Sequence, residues 1–159
     1  MMNKNVLSVN HTFSAAYPDG FHEMTPVELK KFFRSDAHRC GIYDKDRHVI
    51  WNVCWVRPIL FGLLTTERSV LRGAEMRLEL SLQQYCLLER LNREIMGLPA
   101  VGIRFAYKVT DTDIIQQSDL YVFQYGKRYY AVQIIGRREN FAEDQQLMEE
   151  LLGSMTVLS

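Results

Sequence analysis

The sequence predicts an α+β protein built on a mainly antiparallel sheet with helices on its faces. Three observations carry that expectation. Apolar runs of alternating pattern occur in pairs joined by turn residues, and other segments repeat apolar residues every three or four positions behind capping residues. Strands and helices also fail to alternate one for one, as a parallel sheet would require. Along the chain the order is strands, helix, strand pair, long helix, strands and helix.

Leu7, Val9 and Phe13 begin the first short strands, which end at the turn Tyr17-Pro18-Asp19-Gly20. There proline presets one turn dihedral and glycine accepts positive φ. Thr25-Pro26-Val27-Glu28 opens a helix. Thr25 is its cap, Pro26 suits its first position and Glu28 completes a capping box. The helix is expected to reach Arg34 and to bury Leu29, Phe32 and Phe33. Residues 39–43 and 48–57 read as a strand hairpin, the second strand rich in β-branched and aromatic residues from Val49 to Val56 and ended by Pro58.

Thr66 caps a long helix with Leu71, Ala74, Leu78, Leu82 and Tyr85 along one stripe. Its end is open: Leu88, Leu91 and Ile95 extend the helical spacing, whereas Leu87 to Met96 also reads as a strand running into Gly97-Leu98-Pro99. Ile103, Phe105, Tyr107 and Val109 then alternate as a strand. Leu120 to Tyr125 and Tyr129 to Ile135 form a hairpin through Gly126-Lys127-Arg128. Asn140, with Glu143 at the box position, is expected to cap a last helix bearing Phe141, Met148, Leu151, Leu152 and Met155.

Composition narrows the functional classes. At 159 residues, 47% hydrophobic and 24% charged, residues 1–159 suit one domain with a substantial core. Lys plus Arg and Asp plus Glu both number 19, so the overall basic excess of a nucleic-acid binder is missing. Residues 126–138 hold four basic residues and no acid, but the acidic helix that follows offsets them. The most apolar run, Ile59 to Leu64, is too short to span a membrane and is preceded by Arg57 and Pro58. The first residues lack the apolar core of a secretory signal. Three cysteines without paired spacing fit a reducing compartment. A cytoplasmic location is therefore expected.

Taken together, the Tyr-Pro-Asp-Gly turn, the capped helix from Thr25 to Arg34, the Trp-bearing strand and the long helix form a familiar order. Gly97-Leu98-Pro99-Ala100, Ile103-Arg104-Phe105, Leu120-Tyr121-Val122-Phe123 and Tyr129-Tyr130-Ala131-Val132 extend it. The pattern resembles the PsbP-like superfamily, which includes bacterial DcrB-like proteins, the photosystem oxygen-evolving subunit P and a Ran-binding nuclear-transport factor. The resemblance covers nearly the whole chain through turn and strand patterns rather than chemical residues. It implies an α/β/α sandwich around an antiparallel sheet, a single PsbP-like domain, and the strand reading of residues 87–96. Members act mostly as binding or assembly factors and offer no shared catalytic residues to carry over.

The stretch from Ser35 to Trp55 holds the densest chemistry: Asp36, His38, Cys40, Asp44, Asp46, His48 and Cys54. With a four-residue loop at 44–47, Tyr43 pairs with His48 and Cys40 with Trp51. His38, Cys40, Trp51, Val53 and Trp55 then share one face, and His48 and Cys54 the other. A three-residue loop would instead bring His48 beside Cys40; the four-residue loop is the expectation. No Cys or His spacing typical of zinc appears, and Asp44-Lys45-Asp46 lacks the rest of a calcium loop. No metal and no cofactor are expected. His38 and Cys40 lie about 6–7 Å apart along a strand, too far for a direct hydrogen bond.

A non-enzymatic binding or assembly module is the leading expectation, with an unknown protein partner or a second copy of the chain as its target. The alternative is a small-ligand-binding protein or enzyme with a pocket near His38, Cys40 and Trp51. The candidate interaction surface is His38, Cys40, Trp51, Trp55, Ile59 and Phe61. An apolar concentration left exposed there would mark a partner surface.

Overall fold

The computed structural model describes residues 5–58 and 65–158. Ile59 and Phe61, two of the expected surface residues, lie outside the described residues.

Among the described residues, ten strands form two antiparallel sheets. β1 (Asn5–Val9), β2 (Phe13–Tyr17) and β10 (Thr156–Val157) make a small three-stranded sheet. The main sheet draws on β3 (His22–Glu23), β4 (Arg39–Asp44), β5 (Val49–Val56) and β6 (Gln83–Ile95). It is completed by β7 (Leu98–Lys108), β8 (Ile115–Tyr125) and β9 (Arg128–Arg137). Its spatial order is β3-β4-β5-β9-β8-β7-β6.

Helices cover both faces, as an α/β/α sandwich requires. α1 (Pro26–Phe33) and α2 (Glu67–Ser81) pack on one face. α3 (Phe141–Ser154) and the small sheet pack on the other. Alternation along each strand assigns its side chains to the two layers. On β5, Val49, Trp51 and Val53 enter the larger core with Phe13, Phe123, Tyr130, Met148 and Leu151. Trp51 is wholly buried, and its indole N–H points to the Met148 sulfur at 3.3 Å. On the opposite face Ile103, Phe105, Leu120 and Val122 receive Leu71 of α2, while Ile50 receives Leu29 of α1.

The helix starts follow the sequence closely. Thr25 and Glu28 form the expected reciprocal capping box, and Arg34 closes α1 in a left-handed conformation. Thr66 caps α2 through Ser69. α2 ends at Ser81 and residues 83–95 are strand, so the ambiguous segment resolves as the resemblance implied. Leu82 and Tyr85 still pack against the same buried cluster as Leu78 although they have left the helix.

Three local expectations need correction. Phe32 is exposed, with its ring centre 5.2 Å from that of Tyr43, because Leu29 and Phe33 already fill the narrow contact of this short helix. Asn140 makes no side-chain cap, since a 3-10 turn over Arg138–Asn140 leads directly into α3. The β4–β5 loop has four residues but lies one position later, at 45–48. Asp44 faces Val49, and Cys40 faces Val53 rather than Trp51. The Asp44 carboxylate explains the slide: it accepts the backbone N–H groups of Asp46 and Arg47 at 3.1 and 3.3 Å, stapling the turn after itself. The pairing moves by two, so every side chain keeps its expected face.

One buried charge spans two layers. Asp144 of α3 is 1% exposed, 3.4 Å from the guanidinium of Arg47 in that turn. Its second oxygen lies against Gly136, where a Cβ would approach within 1.9 Å, so β9 needs glycine at this position. That oxygen has no hydrogen-bond partner among the described residues.

Burial raises the Asp144 carboxyl from 3.8 to about 6, with Arg47 opposing the shift. The native state therefore holds this proton more tightly than the unfolded chain. The associated stability is complete below about pH 4 and is lost as pH rises through about 6. Asp144→Asn should consequently be more stable than the parent at pH 8 by about 1–3 kcal/mol. Urea unfolding across pH should show that advantage vanishing in acid; a difference independent of pH would contradict this account.

Candidate functional site

The residues singled out in the sequence do not converge. Trp51 is core. Cys40 points to the same layer and packs half-buried at the edge of that core. Its thiol is pushed up to about 12, chiefly by burial and further by Glu23 and Cys54. A thiol so far above neutrality is a poor nucleophile. His38 is exposed at φ 54, just before β4, with its ring 6.4 Å from that of half-buried Trp55. His48 sits in the β4–β5 turn at φ 57 and lines a cleft beside α1 with Phe33, Tyr43 and Ile50. Among the described residues, no three His, Cys, Asp or Glu side chains are placed to share a metal ion.

The basic residues are equally dispersed. Lys127 and Arg128 mark one end of β9, and Arg137 and Arg138 the other. Nine residue steps of extended chain put the two pairs about 30 Å apart. They form no common patch.

What the fold does assemble lies on the face of β5 that bears α1 and α2. A cavity of about 450 Å³ opens beside α2, above β5, β9 and β8. Val70, Ala74 and Leu78 of α2 form its wall, and Leu120, Val122 and Ala131 form much of its floor. At the floor's centre is Asn52, 0% exposed and opposite Gln133 in the β5–β9 register. Gln133 donates to buried Ser118 at 2.9 Å. Arg39, at the start of β4, lies over the Phe33 ring at 4.2 Å and donates from Nη1 to Asn52 Oδ1. This fixes the carboxamide and leaves Nδ2 on its other side. Asn52 Nδ2 is buried with no hydrogen-bond partner among the described residues. A buried, unmatched amide donor costs about 1–3 kcal/mol.

Cys54, Trp55 and Arg77 also line this cavity, and among the described residues no Asp or Glu does. Neither Arg39 nor Arg77 has a carboxylate partner among the described residues. The site therefore combines apolar walls, two guanidinium groups and one unmatched amide donor. It can hold an anionic or hydrogen-bond-accepting group, and its residues offer no activated nucleophile.

Beyond the cavity, the outer surface of α2 exposes Met76 and Leu80, the latter 88% exposed. Leu87 and Leu88 are exposed on the neighbouring edge strand β6. This edge is interrupted by two register irregularities and carries Glu89, Arg90, Arg93 and Glu94. Such features discourage direct strand addition.

The architecture thus defines a class, a helix-flanked antiparallel seven-stranded sheet, and comparison with solved structures describes its fold more closely. The fold is that of the PsbP and Mog1 proteins. Cyanobacterial PsbP (CyanoP) from Synechocystis aligns with a TM-score of 0.68 at 12% identity, covering 99% of this chain and 94% of that one. LpqN of Mycobacterium tuberculosis, involved in cell envelope biogenesis, aligns at 0.63 and 11% identity over 92% and 83% of the two chains. The Ran-binding protein Mog1p of Saccharomyces cerevisiae aligns at 0.61 and 10% identity over 99% and 96%. No family model matches the sequence, and no curated protein does. At these identities the likeness concerns the fold alone.

Asn52 was missed by reading the sequence for ionisable groups. The available signal was its position: an amide between Trp51 and Val53, inside a strand otherwise built of β-branched, aromatic and thiol residues.

The thiols provide a direct check on this geometry. All three cysteines are free, and Cys86 is exposed. At about pH 8 an alkylating reagent should modify Cys86 first and Cys40 last, as followed by mass spectrometry of digested time points. Equal rates at Cys40 and Cys86 would mean that Cys40 is not held in the core edge as described.

Proposed function

We propose that the protein is a non-enzymatic binding module that works through its helix-bearing face. The observation supporting this reading is the cavity beside α2, where a wholly buried Asn52 retains an unmatched donor between apolar walls. A site kept open at a cost in stability is suited to a ligand that supplies the missing acceptor. The exposed residues Met76, Leu80, Leu87 and Leu88 offer a separate apolar surface for a protein partner or a second copy of the chain.

On this reading the chain acts as one domain in the cytoplasm, where its three free thiols stay reduced. No helix among the described residues is long and apolar enough to cross a membrane. The likeness to a Ran-binding protein supports binding as the general role without carrying that partner over. Of the surface anticipated from sequence, His38 and Trp55 remain candidates for contact at the rim, while Cys40 and Trp51 support it from within. The ligand-binding alternative moves to the face of β5 opposite Trp51.

At about 450 Å³ the cavity falls within the range of small-molecule pockets. The neutral fluorescent probe aminoanthracene should therefore bind the folded protein with enhanced emission. Ala74→Phe, which fills the cavity from α2, should weaken that binding at least about tenfold while leaving the folded circular-dichroism spectrum intact. Equal binding by the variant, or none by the parent, would contradict the cavity as a binding site.

A further inference from the structure

We propose that the cavity beside α2 selects a small monocarboxylate with an apolar body, its head held by Arg39 and Asn52. This rests on the reading of the cavity as a binding site and adds the chemical class of the occupant.

Charge gives the first argument. Among the described residues, Arg39 and Arg77 line the cavity without Asp or Glu, so its field favours an anion. Hydrogen-bond geometry gives the second. Arg39 uses Nη1 on Asn52 Oδ1, leaving other guanidinium N–H groups free, and it turns the Asn52 amide so that Nδ2 remains unmatched. A carboxylate has two oxygens on one planar group. The Asn52 amide is closed off from the cavity at rest, so its side chain must rotate to present Nδ2; one oxygen then accepts from Nδ2 and the other from the Arg39 fork, which satisfies the buried donor and neutralises the cation together.

Shape and polarity complete the argument. Val70, Ala74, Leu78, Val122 and Ala131 offer a chain or ring no polar partner. An inorganic phosphate would leave this apolar wall unfilled. A neutral alcohol would fill the wall but lose the charge-assisted bonds. Planarity also explains why arginine suits the position: a lysine ammonium is a point charge and lacks the fork.

Octanoate, octanol and inorganic phosphate separate these possibilities when titrated into nitrogen-labelled protein, with the Asn52 side-chain amide resonances as the readout. Octanoate should shift them at millimolar concentration or below and bind at least about tenfold more tightly than octanol, the worth of one charge-assisted hydrogen bond. That preference should collapse in Arg39→Gln and return in part in Arg39→Lys, both monitored for a native spectrum. Equal binding of octanol, an octanoate preference that survives Arg39→Gln, or an unmoved Asn52 amide would each overturn the proposal. Phosphate matching octanoate would also overturn it, in favour of a generic anion site. If aminoanthracene binds while octanoate shows no preference, the cavity stands as a site and only the carboxylate assignment falls.

Discussion

The two-sidedness of β5 is the constraint on which the rest of the structure depends. Val49, Trp51 and Val53 face one layer, and Ile50, Asn52 and Cys54 the other. Because side chains alternate, one choice of register fixes both faces. A slip of one residue would drive Asn52 into the core among Phe13, Tyr130 and Met148 and turn Trp51 outward. Antiparallel neighbours on both sides hold that choice: β4 pairs Gly41 with Asn52, and β9 pairs Gln133 with it. The apolar layer therefore supplies the reason why a polar group stands on the floor of the cavity.

That division also separates stability from recognition. The larger core, sealed by α3 and the small sheet, contains most of the fully buried aromatic and aliphatic residues. The helix-bearing face is less completely closed. α1 is only eight residues long and α2 sits over β7 and β8, so the strip of β5 and β9 beside α2 is left as a cavity. Into this strip the sequence places an amide, a thiol and a glutamine instead of filling it with leucine. Local departures from an optimal core of this kind are where binding sites are expected in a fold otherwise consistent at every level.

Much of the fold was legible because its signals were local. Thr25 and Glu28 announced α1, Tyr125 to Arg128 announced the β8–β9 hairpin, and Leu71 with Leu78 marked the stripe of α2. The end of α2 was not legible, since Leu82 at the helix cap and Tyr85 in the following strand continue its helical spacing. The β4–β5 loop length was legible, but its position depended on the Asp44 carboxylate stapling the following turn. The site was largely hidden. Seven ionisable or thiol side chains between residues 35 and 55 drew attention from a neutral amide in the same stretch. Arg39 becomes meaningful only once β4 brings it to Asn52 and α1 brings Phe33 beneath it.

The central claim is that Asn52 serves a ligand and not the fold, and the stability of Asn52→Leu tests it most directly. Leucine has the same branched arrangement of four side-chain heavy atoms, suits the apolar walls and removes the unmatched donor, while half-buried Arg39 can turn to water. The account predicts, in urea unfolding without ligand, a variant as stable as the parent or more stable by up to about 2 kcal/mol. A loss of more than about 2 kcal/mol would contradict it, because Asn52 would then be a structural hydrogen-bonding group whose partners the fold itself requires.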